Sequence, residues 1–163
     1  PVYALLGFMI YTWTIFRFFW KLPSWLYHAS LDRIGILYAY MVSVNFLESL
    51  LVLLGLVALA FILPRRWFLD HFVTKGLLLT LLGLGYWMFL AYNMQAESDF
   101  PINLLRLSPI AAVVVLAAAF LLDKVGFVRT VLEKLAENLV IFLYLLIPAS
   151  VISVLVILIR NLF

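Results

Sequence analysis

The sequence has no cysteine, which excludes disulfides, thiolate metal sites and cysteine nucleophiles and leaves the redox compartment unmarked. Charge is scarce. Asp, Glu, Lys and Arg make up 12% of the 163 residues, about half the share of a soluble domain. Histidine occurs only at His28 and His71. Glycine, serine and proline do not accumulate in any connection, so no flexible linker divides the chain, and residues 1–163 read as a single domain. The apolar start Pro1 to Gly7 has no basic region before it, and its run to Trp20 is too long for the core of a secretory signal. It reads as a retained span.

What the chain does have is apolar mass: 67% hydrophobic and 17% aromatic residues, with a mean hydropathy of +1.19. A water-soluble fold of this length leaves too much surface exposed to hide so many apolar side chains. The expectation is an all-α integral membrane protein, a bundle of about five transmembrane helices with short interfacial connections, solvated by the lipid bilayer. The net charge of +3 comes from basic residues scattered between apolar runs. Anionic headgroups are therefore expected neighbours, and nucleic acid is not an expected partner.

Helices are the open-chain way to satisfy every backbone group in lipid, so runs near 20 residues mark the spans. They fall at about 2–20, 34–63, 76–92, 107–122 and 139–159. Phe18, Phe19, Trp20 and Lys21 border the first, and Pro64, Arg65, Arg66 and Trp67 the second, as aromatic and basic residues do at headgroup depth. The segments 24–32 and 67–73 mix aromatics with isolated charges and are expected along the interface. An amphipathic interfacial helix is expected at about 128–137, where Val128, Val131, Leu132 and Leu135 share a face and Thr130 with Glu133 has capping-box spacing. No internal repeat is visible.

Basic residues nearly balance across the two sides. Arg65, Arg66, Lys75, Lys124, Arg129 and Lys134 lie on one, and Arg17, Lys21, Arg33, Arg106 and Arg160 on the other. The connection 93–101 has no Lys or Arg, which favours placing it outside, with a cytoplasmic amino terminus.

One carboxyl group sits inside a span. At ~1.5 Å per residue the run from Ile34 to Leu63 measures ~45 Å against ~30 Å of hydrocarbon, and Glu48 falls near its middle. Tyr38, Met41, Asn45, Glu48, Val52, Gly55 and Leu59 recur in steps of three and four, a single seam expected to point into the bundle. Tyr38, Asn45 and Glu48 form the candidate intramembrane polar site. There Glu48 would hydrogen-bond to Asn45, Ser49 or a polar group on another helix. Its functional reading is a carrier of protons or cations. Arg17 could pair with Glu48, although snorkelling to the interface is the expected outcome. Gly55, Gly76 and Gly83 are candidate helix-packing positions, with Thr80 between the last two and Ala111 and Ala118 forming a similar stripe. Pro148 is expected to kink the last span, with Ser150 near the carbonyls it releases.

His28 and His71 flank the second span. If that span crosses the bilayer, they occupy opposite surfaces and cannot share one haem or metal ion. Glu97 and Asp99, with Asn93 and Gln95, make a polar turn without the glycine of a calcium loop. No catalytic, cofactor-binding or metal-binding set is therefore assigned.

These features point to a non-catalytic structural or accessory subunit of a larger membrane assembly, with other membrane protein subunits as partners. One alternative is a small proton- or cation-coupled transporter or channel using Glu48. Another is the transmembrane anchor of an enzyme whose catalytic domain is not in this chain. In number of spans alone the chain is similar to the membrane modules that precede extracytoplasmic phosphotransferase domains in lipoteichoic-acid synthase-like enzymes.

Overall fold

A computed structural model describes residues 1–62, 71–96 and 102–162, without the side chains of 94–96 and 102–105. All its elements are helices: α1 (Val2–His28), α2 (Leu31–Ile62), α3 (Phe72–Ala96), α4 (Ile102–Leu122) and α5 (Gly126–Leu162). Four of them, α1, α2, α3 and α5, are long and apolar enough to cross a membrane, and the described part of α4 is a shorter apolar helix. The Pro64 to Trp67 border and the acidic turn with Glu97 and Asp99 lie outside the described residues.

The helices begin and end for local reasons. α1 runs past the expected stop at Trp20 because Pro23 removes only one backbone donor close to the helix end. Packing compensates there: the Phe18 ring meets Trp25 edge-on at 5.4 Å and Tyr38 of α2 at 5.3 Å. Extended backbone at Ala29 ends the helix, and its N–H bonds back to the Trp25 carbonyl. Asp32 in the first turn of α2 suits the positive end of that helix. Before α3, His71 takes a left-handed conformation with φ of 63°, which histidine tolerates better than most side chains, and its carbonyl accepts the first bond from Lys75.

One expectation fails at α5. The interfacial helix at 128–137 and the span at 139–159 form a single continuous helix, because nothing between them breaks the backbone. Thr130 and Glu133 make no capping box. The Thr130 hydroxyl donates to the Gly126 carbonyl, and the Glu133 carboxylate accepts from Thr74 of α3 at 2.8 Å. The expected face divides accordingly: Val128 and Leu132 pack against the core, whereas Val131 and Leu135 are exposed.

α1 occupies the centre and packs on α2, α3 and α5. α5 also packs on α2 and α3, and α4 packs on α3. Small side chains let the backbones approach. Ala4 and Leu6 of α1, Leu77 of α3 and Ala136 of α5 are fully buried in one cluster. Hydroxyl groups link α1 to its neighbours. Ser150 donates its one proton to the Leu146 carbonyl at 2.6 Å, so Tyr11 must be the donor in the 2.6 Å Tyr11–Ser150 bond. By the same reasoning Ser49 donates to the Phe46 carbonyl and accepts from Tyr3.

The glycines expected at packing positions behave differently from one another. A Cβ on Gly76 would stand 3.1 Å from Val2 Cγ2, so Gly76 does admit a neighbour. Gly55 and Gly83 have nothing within 4 Å of that position, so neither makes a close approach. Replacing Gly76 with Leu should therefore lower stability by about 1–3 kcal/mol through overpacking, while Gly55→Ala should be neutral or stabilising by up to ~1 kcal/mol from helix propensity. Denaturation in mixed micelles followed by circular dichroism measures both.

Candidate functional site

The inward stripe of α2 is set by small and polar residues. Val42, Asn45, Ser49 and Leu56 are buried and Val52 half-buried. This stripe shares Asn45 and Val52 with the expected seam but is rotated from it, so Glu48 and Gly55 are exposed at its edge. Tyr38, 41% exposed, lies on the aromatic cluster of Phe18 rather than inside the bundle. Ser43 and Ser49 carried the missed signal. Small hydroxyl residues flanking Asn45 mark a helix-facing surface more surely than a carboxyl group does.

Asn45 bonds to Thr14 of α1, with Oδ1 3.1 Å from the hydroxyl. Thr14 also lies 2.9 Å from the Ile10 carbonyl and has only one proton to donate. Its Asn45 partner as placed leaves the buried Nδ2 without any acceptor. Turning the amide over lets Nδ2 donate to Thr14 and frees the threonine proton for Ile10, a better use of the same atoms.

Glu48 thus has neither of its expected neighbours, since Asn45 is engaged by Thr14 and Ser49 by Tyr3 and Phe46. Among the described residues no hydrogen bond or ion pair reaches it. Arg17 does not supply one either. Its guanidinium rests 5.8 Å from the centre of the Trp13 ring. Glu48 instead lines a cavity of about 550 Å³ where three helices meet. α1 contributes Ile10, Trp13 and Thr14, α2 contributes Glu48, Leu51 and Val52, and α3 contributes Leu84, Trp87 and Met88. A smaller cavity of about 200 Å³ above it is lined by Thr14, Arg17, Lys21 and Trp25. A third, about 380 Å³ and almost wholly apolar, shares Trp87 and lies between α2, α3 and α4, with Gly83 in its wall.

A second polar cluster escaped the sequence reading. Where α3 begins and α4 ends, Lys75 Nζ lies 3.5 Å from Asp123 Oδ2, both side chains 8% exposed, and 5.5 Å from the centre of the Phe120 ring. Beside it Arg129 pairs with Glu133 at 3.1 Å, which in turn accepts from Thr74. Arg129 and Glu133 are an ordinary i,i+4 pair, but Lys75 and Asp123 are distant in sequence and have no motif spacing, so only the folded chain brings them together. The cluster ties the start of α3 to the end of α4 and the start of α5. Among the described residues no three His, Cys, Asp or Glu side chains converge as metal ligands, and His28 and His71 stand beyond opposite ends of α2.

No family model, curated protein or solved structure matches the chain.

Because Lys75 and Asp123 are buried together, Lys75→Met or Asp123→Leu alone should cost about 3–5 kcal/mol by stranding the other charge. The double substitution should recover most of that loss. A double-mutant cycle by chemical denaturation measures the coupling.

Proposed function

We propose that the chain is a multi-pass integral membrane protein, with all five helices crossing the bilayer and the amino terminus cytoplasmic. Within it the chain serves as a non-catalytic structural or accessory subunit of a larger membrane assembly. The observation that carries this reading is an inverted relation between hydropathy and burial. The most apolar windows, in α5 (mean hydropathy 2.8) and α2 (2.2), are only 11% and 17% buried, whereas the milder α1 (1.4) and α3 (1.5) reach 44% and 39%. In water the greasiest helices would be innermost, because burying apolar surface is the main force of folding. Here they are outermost, as suits a solvent of lipid tails or of partner helices.

Use of the polar side chains supports the accessory role. Four pairs inside the bundle join helix to helix: Tyr3 to Ser49, Tyr11 to Ser150, Thr14 to Asn45, and Tyr86 to Ser108. Tyr86, Ser108 and Ser150, which could have served as stations along a transport path, are thus employed as fasteners, whereas Thr80 bonds to Gly76 of its own helix. The broad apolar faces of α2 and α5, with Leu51, Leu54, Phe61, Ile141 and Leu145 all exposed, leave ample surface for neighbouring subunits.

Since the native sequence has no cysteine, single cysteines report cleanly. Cysteine at Ile141 or Leu145 should react with a lipid-soluble maleimide and resist a charged one. In intact cells the charged reagent should reach Ser30→Cys and not Lys124→Cys; the reverse result would invert the orientation. The accessory role predicts that the gently solubilised native chain migrates with larger membrane subunits at fixed stoichiometry, read by native mass spectrometry. A chain that is monomeric throughout would refute it.

A further inference from the structure

The cavity around Glu48 holds an acid from the middle of α2, and it combines three features. The first is depth. Counting ~1.5 Å per residue along α2, Glu48 lies ~26 Å from Leu31 and ~21 Å from Ile62, so in the bilayer placement proposed above, on which this inference rests, the carboxyl group is well away from either surface. A charge at that depth is strongly disfavoured unless it is paired, and among the described residues no cationic side chain forms an ion pair with it.

The second is the aromatic wall. Trp13 of α1 and Trp87 of α3 line the same cavity as Glu48. Indole faces attract organic cations, and a carboxylate beside them supplies the countercharge. The third is size and access. A volume of about 550 Å³ falls within the range of small-molecule pockets. Leu51 and Trp87 at its rim are 67% and 65% exposed, so the cavity opens sideways between α2 and α3. Entry along the helices from above passes Arg17 and Lys21, which repel cations.

We propose that this cavity is a binding site for a lipophilic organic cation, such as a hydrophobic quaternary ammonium or phosphonium, which enters laterally from the bilayer. Glu48 neutralises its charge and the Trp87 indole holds its substituents, with Trp13, one face of which carries the Arg17 guanidinium, closing the wall. The apolar cavity beyond Trp87, about 380 Å³, takes bulkier groups. The depth of the site excludes a lipid headgroup anchored at the interface as the natural occupant.

The test is equilibrium dialysis of the purified full chain in dodecyl maltoside against tetraphenylphosphonium, with tetraphenylborate as an anion of the same shape. The wild-type chain should show a single saturable site for the cation and none for the anion. Glu48→Gln, nearly isosteric, should weaken binding by at least about tenfold, and Trp87→Leu by about threefold to thirtyfold. Unchanged helical circular dichroism verifies that both variants are folded. The proposal is overturned by equal binding to wild type and Glu48→Gln, by equal saturable uptake of the borate, or by no saturable binding to the wild type. Displacement of the cation by dihexanoyl-phosphatidylcholine at equal concentration would assign the cavity to a headgroup and overturn it as well.

Discussion

The 2.6 Å hydrogen bond from Tyr11 to Ser150 joins the first helix to the last, and the rest of the architecture depends on that junction being closed. Lipid tails are as apolar as leucine, so in the proposed bilayer setting helices gain little from hiding apolar surface from their solvent. Association rests on close packing and on polar groups that find each other. α1 concentrates both. Its small residues Ala4 and Gly7 admit neighbours, and Tyr3, Tyr11 and Thr14 each point at a different polar partner. α1 is thus the most buried of the long helices although it is also the least hydrophobic of them.

The same logic explains which parts of the molecule were readable in the sequence. Helix positions were legible, because a polar or charged residue interrupts each apolar run near the place where the helix ends. The continuity of α5 was not. A change from amphipathic to uniformly apolar composition around Asn138 looks like a boundary between elements, yet composition alone does not break a backbone that has no glycine or proline there. The border of Phe18, Phe19, Trp20 and Lys21 misled in the opposite sense, since such residues break an apolar run without breaking the helix, which continues to His28.

At the candidate site the sequence singled out α2 and its unusual acid and expected the seam through Glu48 to face the bundle, whereas the buried stripe is rotated from it. Asn45 and Glu48 are three residues apart and nominally neighbours on α2, so a seam through both was reasonable. The actual stripe follows Asn45 to Ser49, which turns Glu48 to the edge of a cavity. Trp13 and Trp87 could not be linked to Glu48 beforehand, because their meeting depends on how α1 and α3 are staggered. That stagger is fixed by Val2 lying in the notch of Gly76. The ion pair of Lys75 and Asp123 was hidden for a similar reason: each looked like an ordinary border charge until the end of α4 came to rest beside the start of α3.

Placing the hub helix ahead of the helices it fastens has a consequence for biosynthesis. A ribosome delivers α1 before any of the helices it fastens, and α5 emerges last among them. Throughout that interval the hydroxyl of Tyr11 waits without its serine, in the proposed setting exposed to whatever insertion factor or protease surveys unpaired polar spans. A nascent chain interrupted before α5 is therefore marked as unfinished at α1, which makes the order of synthesis itself a checkpoint on assembly.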